Sequence, residues 1–139
     1  GKRVVMIGGG LVAIELAESL AERGRKVTIL EEGKVFGAGL MLVRRWRNIA
    51  DCRKLGVDML PEATVVRIDA DSLVYRNAHG QERRVAADQV IITSGAAANP
   101  GPVERLRSAG VPVHAIGDCA GMAYIDRSVR QGFDLAMSL

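Results

Sequence analysis

The apolar positions of this 139-residue chain fall into blocks whose spacing changes abruptly. Val4-Val5-Met6-Ile7 is a continuous apolar run of strand length, and it stops at Gly8-Gly9-Gly10. From Leu11 to Arg23 the spacing turns helical. Ala13, Leu16, Ala17 and Leu20 form a stripe, while Glu15, Glu18, Ser19 and Glu22 lie largely outside it. Gly24 is a helix stop, and Lys26 to Leu30 reads as a second, buried parallel strand. A glycine-containing loop, Glu32 to Gly39, leads to a second helix over Met41 to Leu55, with Val43, Trp46, Ile49 and Ala50 at core spacing.

The period then shortens. Val57 to Leu60, Thr64 to Ile68, Ser72 to Arg76 and Arg83 to Val85 are short strand-like runs. They are separated by Pro61-Glu62, Asp69-Ala70-Asp71 and Asn77-Ala78-His79-Gly80, which carry turn chemistry. This block predicts a small antiparallel meander where a plain doubly wound chain would place a helix. Gln89 to Thr93 returns as a buried strand ending at Ser94-Gly95. Beyond the punctuation of residues 96–102, Val103 to Ala109 predicts a short helix. Pro112 to Ile116 predicts one more strand, closed by Gly117-Asp118-Cys119. Ile125 to Leu139 predicts an amphipathic helix with Ile125, Val129, Phe133 and Ala136 along one face.

Composition narrows the reading. Hydrophobic residues make up 48% of the chain and aromatic ones only 4%, so the core is built from Val, Ile, Leu and Ala, as suits a sheet covered by helices. A formal charge of +3 is too small to argue for nucleic acid, and Arg44-Arg45-Trp46-Arg47 and Arg83-Arg84 read as solvated faces. Cys52 and Cys119 lie far apart, and no disulfide framework or metal site is expected. There is no apolar run of spanning length and no signal sequence, so neither a membrane partner nor export is expected, and the cytoplasm is the expected compartment.

The chemistry sits at the first block boundary. Strand, glycine turn, helix, strand and an acid, Glu31, about 20 residues past the glycines, is the order of parts that dinucleotide binding needs. Gly8 permits the tight turn. Gly10 lets the backbone approach a pyrophosphate, and Ala13 is small enough for close helix–strand packing. Gly8, Gly9, Gly10, Leu11, Val12 and Ala13 are therefore the candidate phosphate turn, with the helix N-terminus offering unsatisfied N–H groups. Glu31 is placed to accept the ribose hydroxyls. Its charge, and that of Glu32, repels a 2′-phosphate, so NADH is expected over NADPH, with Arg44 and Arg45 as the basic pair that could reverse this. His79 and His114 have no catalytic neighbours, Tyr75 and Tyr124 lack a lysine four positions on, and no residue is nominated as catalytic.

The Gly-Gly-Gly-x-x-Ala turn, the meander, Val90-Ile91-Ile92-Thr93-Ser94-Gly95 and Ala115-Ile116-Gly117-Asp118-Cys119-Ala120, in this order, resemble the two-dinucleotide-binding-domain flavoproteins. Arg44 through Val57 and the ending Gly-Asp-Cys-Ala-x-x-x-Tyr-Ile resemble the NADH:flavin oxidoreductases similar to 2,4-dienoyl-CoA reductase and trimethylamine dehydrogenase. The resemblance implies an α/β fold: a Rossmann-like parallel sheet with an antiparallel β-meander crossover, plus a C-terminal strand–helix belonging to a flavin-binding domain. It implies a nicotinamide-cofactor domain over residues 1–95 and a return segment of the FAD-binding domain over residues 96–139.

By the same resemblance, Gly117 and Asp118 hold the ribityl side of FAD, Val66 lines the adenine pocket, and Gly95 lets the cofactor cross the strand end. The family's FAD glycine motif, catalytic barrel, FMN and iron–sulfur cysteines are not in this sequence, so the chain is expected to be a fragment of a longer parent. The expected function is to position NADH for hydride transfer to FAD, with a structural ADP- or FAD-adenosine-binding module as the alternative. The isolated chain is expected to carry no stoichiometric flavin, and the apolar face of its last helix to invite self-association.

Overall fold

The computed structural model describes residues 1–122 and 124–139. The chain divides into two compact units, Gly1–Ser94 and Gly95–Leu139. The first contains β1 (Arg3–Ile7), α1 (Leu11–Glu22), β2 (Lys26–Leu30), α2 (Leu42–Lys54), β3 (Asp58–Leu60), β4 (Thr64–Ile68), β5 (Ser72–Arg76), β6 (Glu82–Ala86) and β7 (Gln89–Ile92). Among the described residues, β3-β2-β1-β7 form a parallel sheet, and β4-β5-β6 form an antiparallel one.

Alternation along β1 and β2 explains the layering, because successive side chains of a strand leave opposite faces. Val4, Met6, Val27 and Ile29 join Ala13, Ile14, Ala17, Phe36 and Cys52 in one buried cluster beneath α1 and α2. Val5 and Leu30 join Ala63, Leu73 and Ala87 in a second cluster beneath the meander. The central sheet is thus covered by helices on one face and by a second sheet on the other. Both faces are dry, which is why these strands read as nearly unbroken apolar runs. At the far end of the sheet, Asp88 joins β1 to β7. Its carboxylate accepts the Lys2 N–H at 2.7 Å, the Arg3 N–H at 2.9 Å and Arg3 Nε at 2.9 Å.

Three sequence expectations need correction. Val57–Leu60 is not the first strand of the meander. As β3, its residues 58–60 pair parallel to β2, with Thr28 opposite Asp58 and Leu30 opposite Leu60. In α2 the inward side differs: Val43 and Trp46 are 76% and 65% exposed, and the buried residue is Cys52, whose thiol donates to the Ile14 carbonyl at 3.5 Å. Burial pushes the Cys52 thiol up to about 11. Finally, Pro112 to Ile116 forms no strand. A strand exists only through a ladder partner, and none is supplied among the described residues.

The second unit holds α3 (Gly101–Ser108), a 3₁₀ turn (Gly117–Cys119) and α4 (Ile125–Ser138). No residue of these elements is buried, and α4 leaves Ile125, Val129, Phe133 and Met137 exposed at a spacing of four. Among the described residues, no helix is long and apolar enough to cross a membrane.

Candidate functional site

The expected phosphate turn lies where β1 meets α1, and every backbone polar group of Gly8 and Gly9 in it is already used. Gly8 has φ +102°, a conformation that favours glycine, and its N–H donates to Leu30 O at 2.8 Å. The Gly8 carbonyl accepts Thr93 Oγ1 at 3.0 Å. The Gly9 N–H donates to Glu31 Oε2 at 2.6 Å, and its carbonyl accepts the Gly37 N–H at 2.7 Å. The Gly10 carbonyl takes the first intrahelical bond, from Ile14 N.

What remains is the first turn of α1. Its N-cap is Gly10, which makes no side-chain cap, and no acidic residue stands in the opening turn. The leading N–H groups of a helix have no partner within it, and they carry the positive end of its dipole. No atom lies within 4 Å of where a Cβ at Gly10 would stand. The turn is therefore closed by its own bonds and open at its mouth, a fit for a pyrophosphate. Ala13 is completely buried against the sheet, as its small size requires, and Val12 is exposed beside the opening.

Gly9 and Gly10 are glycines for different reasons. Gly9 is buried, and a Cβ there would come within 2.6 Å of Phe36 Cδ1 and 2.9 Å of Glu31 Cβ. Gly9 thus makes room for the carboxylate, whereas Gly10 leaves room for a ligand.

Glu31 closes β2, and both of its carboxylate oxygens are oriented by amides: Oε2 by Gly9 and Oε1 by the Gly33 N–H at 2.7 Å. A carboxylate has about four acceptor sites, so two remain for the vicinal hydroxyls of a ribose. Beside it is a cleft of about 160 Å³ lined by Ile7, Gly8, Leu30, Glu31, Glu32, Ala63 and Ser94. Ligand pockets usually measure about 300–1,000 Å³, so this cleft has room for only part of a ligand, and it lies beside the open helix terminus.

The other sequence candidates are placed differently. Val66 sits where the β4–β5 register shifts and is not among the residues lining the cleft; Ala63 is. Gly95 begins the second unit, with φ +80°. Gly117, φ +68°, opens the 3₁₀ turn, and its N–H donates to Gln131 Oε1 at 2.8 Å. Asp118 is exposed there and is not the cap of α4, whose N-cap is Tyr124. Arg44 stands 3.6 Å from Glu15, and Arg45 has a buried Nε with no hydrogen-bond partner among the described residues. Also among the described residues, no group of His, Cys, Asp and Glu could hold a metal ion.

Thr93, Phe36, Gly33 and Gly37 belong to the site and were not singled out from sequence. The partners of Thr93, Phe36 and Gly37 are distant in the chain, whereas Gly33 lies two residues from Glu31, in a loop whose course the sequence does not state.

Known proteins resemble this chain along nearly its whole length. A family model described as pyridine nucleotide-disulphide oxidoreductase matches residues 1–132. Bilirubin reductase of Mediterraneibacter gnavus (strain CC55_001C) is 36% identical over 132 residues, covering 94% of this chain and 20% of that protein. NADH oxidase of Thermoanaerobacter brockii is 29% identical over 139 residues, covering 99% and 21%. The solved 2-naphthoyl-CoA reductase in complex with 2-naphthoyl-CoA superposes with a TM-score of 0.92 at 28% identity, covering 100% of this chain and 21% of that one. This chain spans about a fifth of the length of these relatives. With the α/β fold, the glycine turn and this match in hand, the chain belongs to the pyridine nucleotide-disulphide oxidoreductase family.

Proposed function

We propose that this chain is the pyridine-nucleotide-binding part of a flavin-dependent oxidoreductase of the branch similar to 2,4-dienoyl-CoA reductase, and that it holds NADH for hydride transfer to FAD. The observation that carries the reading is the pairing of an open, uncapped α1 terminus with a Glu31 carboxylate held in place by two amides. Bound NADH supplies a hydride at its nicotinamide ring. The chain's own residues bind and orient: Leu11, Val12 and Ala13 present amides to the pyrophosphate, Gly10 admits it, and Glu31 accepts the adenosine ribose. No group here needs to move a proton, which suits a step governed by stacking and orientation.

Residues 1–95 would form the nicotinamide-cofactor domain and residues 96–139 a return segment of the flavin domain, with Gly117 and Asp118 towards the ribityl chain. Gly95 would let the cofactor pass the end of β7, and Val66 would border the adenine. A soluble cytoplasmic parent fits this role. The small size of the cleft also favours a second reading, in which the site fixes only an ADP or FAD adenosine as part of a larger electron-transfer protein.

Calorimetric titration tests the reading. NADH should bind more tightly than NADPH, because Glu31 and Glu32 both line the cleft and repel a 2′-phosphate. Gly10→Val should weaken NADH binding tenfold or more, since charge-assisted hydrogen bonds are each worth about 1.5–3 kcal/mol. Its melting temperature should fall by only about a few degrees, the cost of a poorer N-cap, because Gly10 has φ −72° and open space around its missing Cβ. Binding of ADP as tight as that of NADH would favour the adenosine-fixing reading. Unaltered NADH binding by Gly10→Val would show that the turn is not the phosphate site.

A further inference from the structure

The Gly8–Gly9 peptide is held at both of its ends by side chains from the two strands that flank β1. The strand order is β3-β2-β1-β7, so Glu31 at the end of β2 and Thr93 just past β7 approach the turn from opposite sides. In a trans peptide the C=O and the N–H point in opposite directions. The Gly8 carbonyl points to Thr93 Oγ1, 3.0 Å away, and the Gly9 N–H of the same peptide points to Glu31 Oε2, 2.6 Å away.

Thr93 Oγ1 is also 2.9 Å from the Ile7 carbonyl, and a hydroxyl has one proton to give. The Ile7 carbonyl already accepts the Thr93 N–H at 2.9 Å, so the Gly8 carbonyl is the group that depends on the hydroxyl. Gly8 lacks a Cβ and has φ +102°, so little in its own covalent structure resists rotation of this peptide plane. A rotated plane would turn the Gly9 N–H away from Glu31 and bring a carbonyl oxygen towards the carboxylate. The carboxylate would then lose one of the two bonds that orient it, and the entry to α1 would shift.

We propose that Thr93 is a positioning residue for the dinucleotide. Its hydroxyl fixes the Gly8–Gly9 peptide plane, and through it both the Glu31 carboxylate and the amides of α1. The role rests on the nucleotide reading given above, and it extends the site to a residue outside the glycine motif.

The test compares Thr93→Val, which keeps the β-branched shape and loses the hydroxyl, with Thr93→Ser, which keeps the hydroxyl. NADH affinity is measured by calorimetry, and the Gly9 amide proton by NMR, where its short bond to a carboxylate should place it far downfield. Thr93→Val should lose about five- to tenfold in NADH affinity, the worth of one hydrogen bond, and its Gly9 resonance should move upfield. Thr93→Ser should match the parent chain in both.

Binding by Thr93→Val within twofold of the parent would overturn the proposal. So would a Thr93→Ser variant that loses affinity or the downfield resonance, since the hydroxyl is then not what matters. That second arm holds even if Thr93→Val does not fold. A parent chain that binds no NADH at all would instead overturn the nucleotide reading, and the positioning role with it.

Discussion

In Gly1–Ser94, the side chains of Met6, Ile14, Ile29 and Leu73 are completely buried, whereas in Gly95–Leu139 Ile125, Val129, Phe133 and Met137 stand open on one face of α4. Both regions have amphipathic helices, and the difference is what those helices meet. α1 closes a sheet whose opposite face is covered by the meander. The elements of the second unit bury no residue. Burial of apolar surface stabilises by about 25 cal/mol per Å², while isolated helices shorter than about 12–15 residues are marginal in water. The first region therefore has the means to stand alone and the second does not, although hydropathy patterning marks both as ordered.

The widest expected separation is in thiol reactivity. Cys119 is exposed, and Cys52 is buried with its thiol pushed up to about 11. A thiol reagent at pH 8 should label one cysteine per chain at once, identified as Cys119 by mass spectrometry. Cys52 should react slower by roughly three orders of magnitude or more, because it must wait for the first region to open. Equal rates would mean that the first region is not the stable one.

Next in size is a pair of truncations. Ile14→Ala should cost about 2–5 kcal/mol in urea unfolding, because it leaves a cavity in the cluster beneath α1. Phe133→Ala, the larger truncation by volume, should change stability by less than about 0.5 kcal/mol. It should also reduce any concentration-dependent association seen in sedimentation. If Phe133→Ala proves the costlier, α4 is covered and the contrast fails.

A smaller effect is confined to acid. Hydrogen bonds from the Arg3 guanidinium, with the Arg3 and Lys2 amides, hold the Asp88 carboxyl well below the usual carboxylate range. A carboxyl that titrates lower in the folded chain than in the unfolded one contributes stability above the unfolded pKa of about 3.9, and loses it as pH falls further. The parent should therefore lose stability below about pH 4 more steeply than Asp88→Asn, and the two urea curves should converge as the pH drops. A parallel offset at every pH would show that the charge of Asp88 is irrelevant to the joint between β1 and β7.

The parts of the fold that sequence made legible are those whose signal is local. β1, α1 and β2 follow from runs and spacing, and the motif at their junctions follows with them. α2 was recognisable as a helix, yet its inward face was not, because Cys52 is chosen by contact with Ile14 on α1 and nothing within the helix announces that. β3 was legible as a strand but not as a member of the parallel sheet. Three residues are too few to state which neighbour they join. Pro112–Ile116 has strand composition and no ladder, since composition cannot provide a partner. In the site, Gly8, Gly10, Ala13 and Glu31 stood out, whereas Thr93 and Phe36 did not, because each acts on a glycine far away in sequence.

The two amides on Glu31 also constrain how cofactor preference could change, whether by evolution or by engineering. Replacing the acid with arginine would invite a 2′-phosphate, but it would set a cation against the N–H groups of Gly9 and Gly33, which are donors themselves. The substitution that alters selectivity is thus the one that unfastens the turn. A route to NADPH passes more easily through Glu32, which is exposed and lines the same cleft, than through Glu31. At Glu31 a change needs a second one that gives those amides a new acceptor, so the proposed preference for NADH would be protected by a valley between two functional sequences.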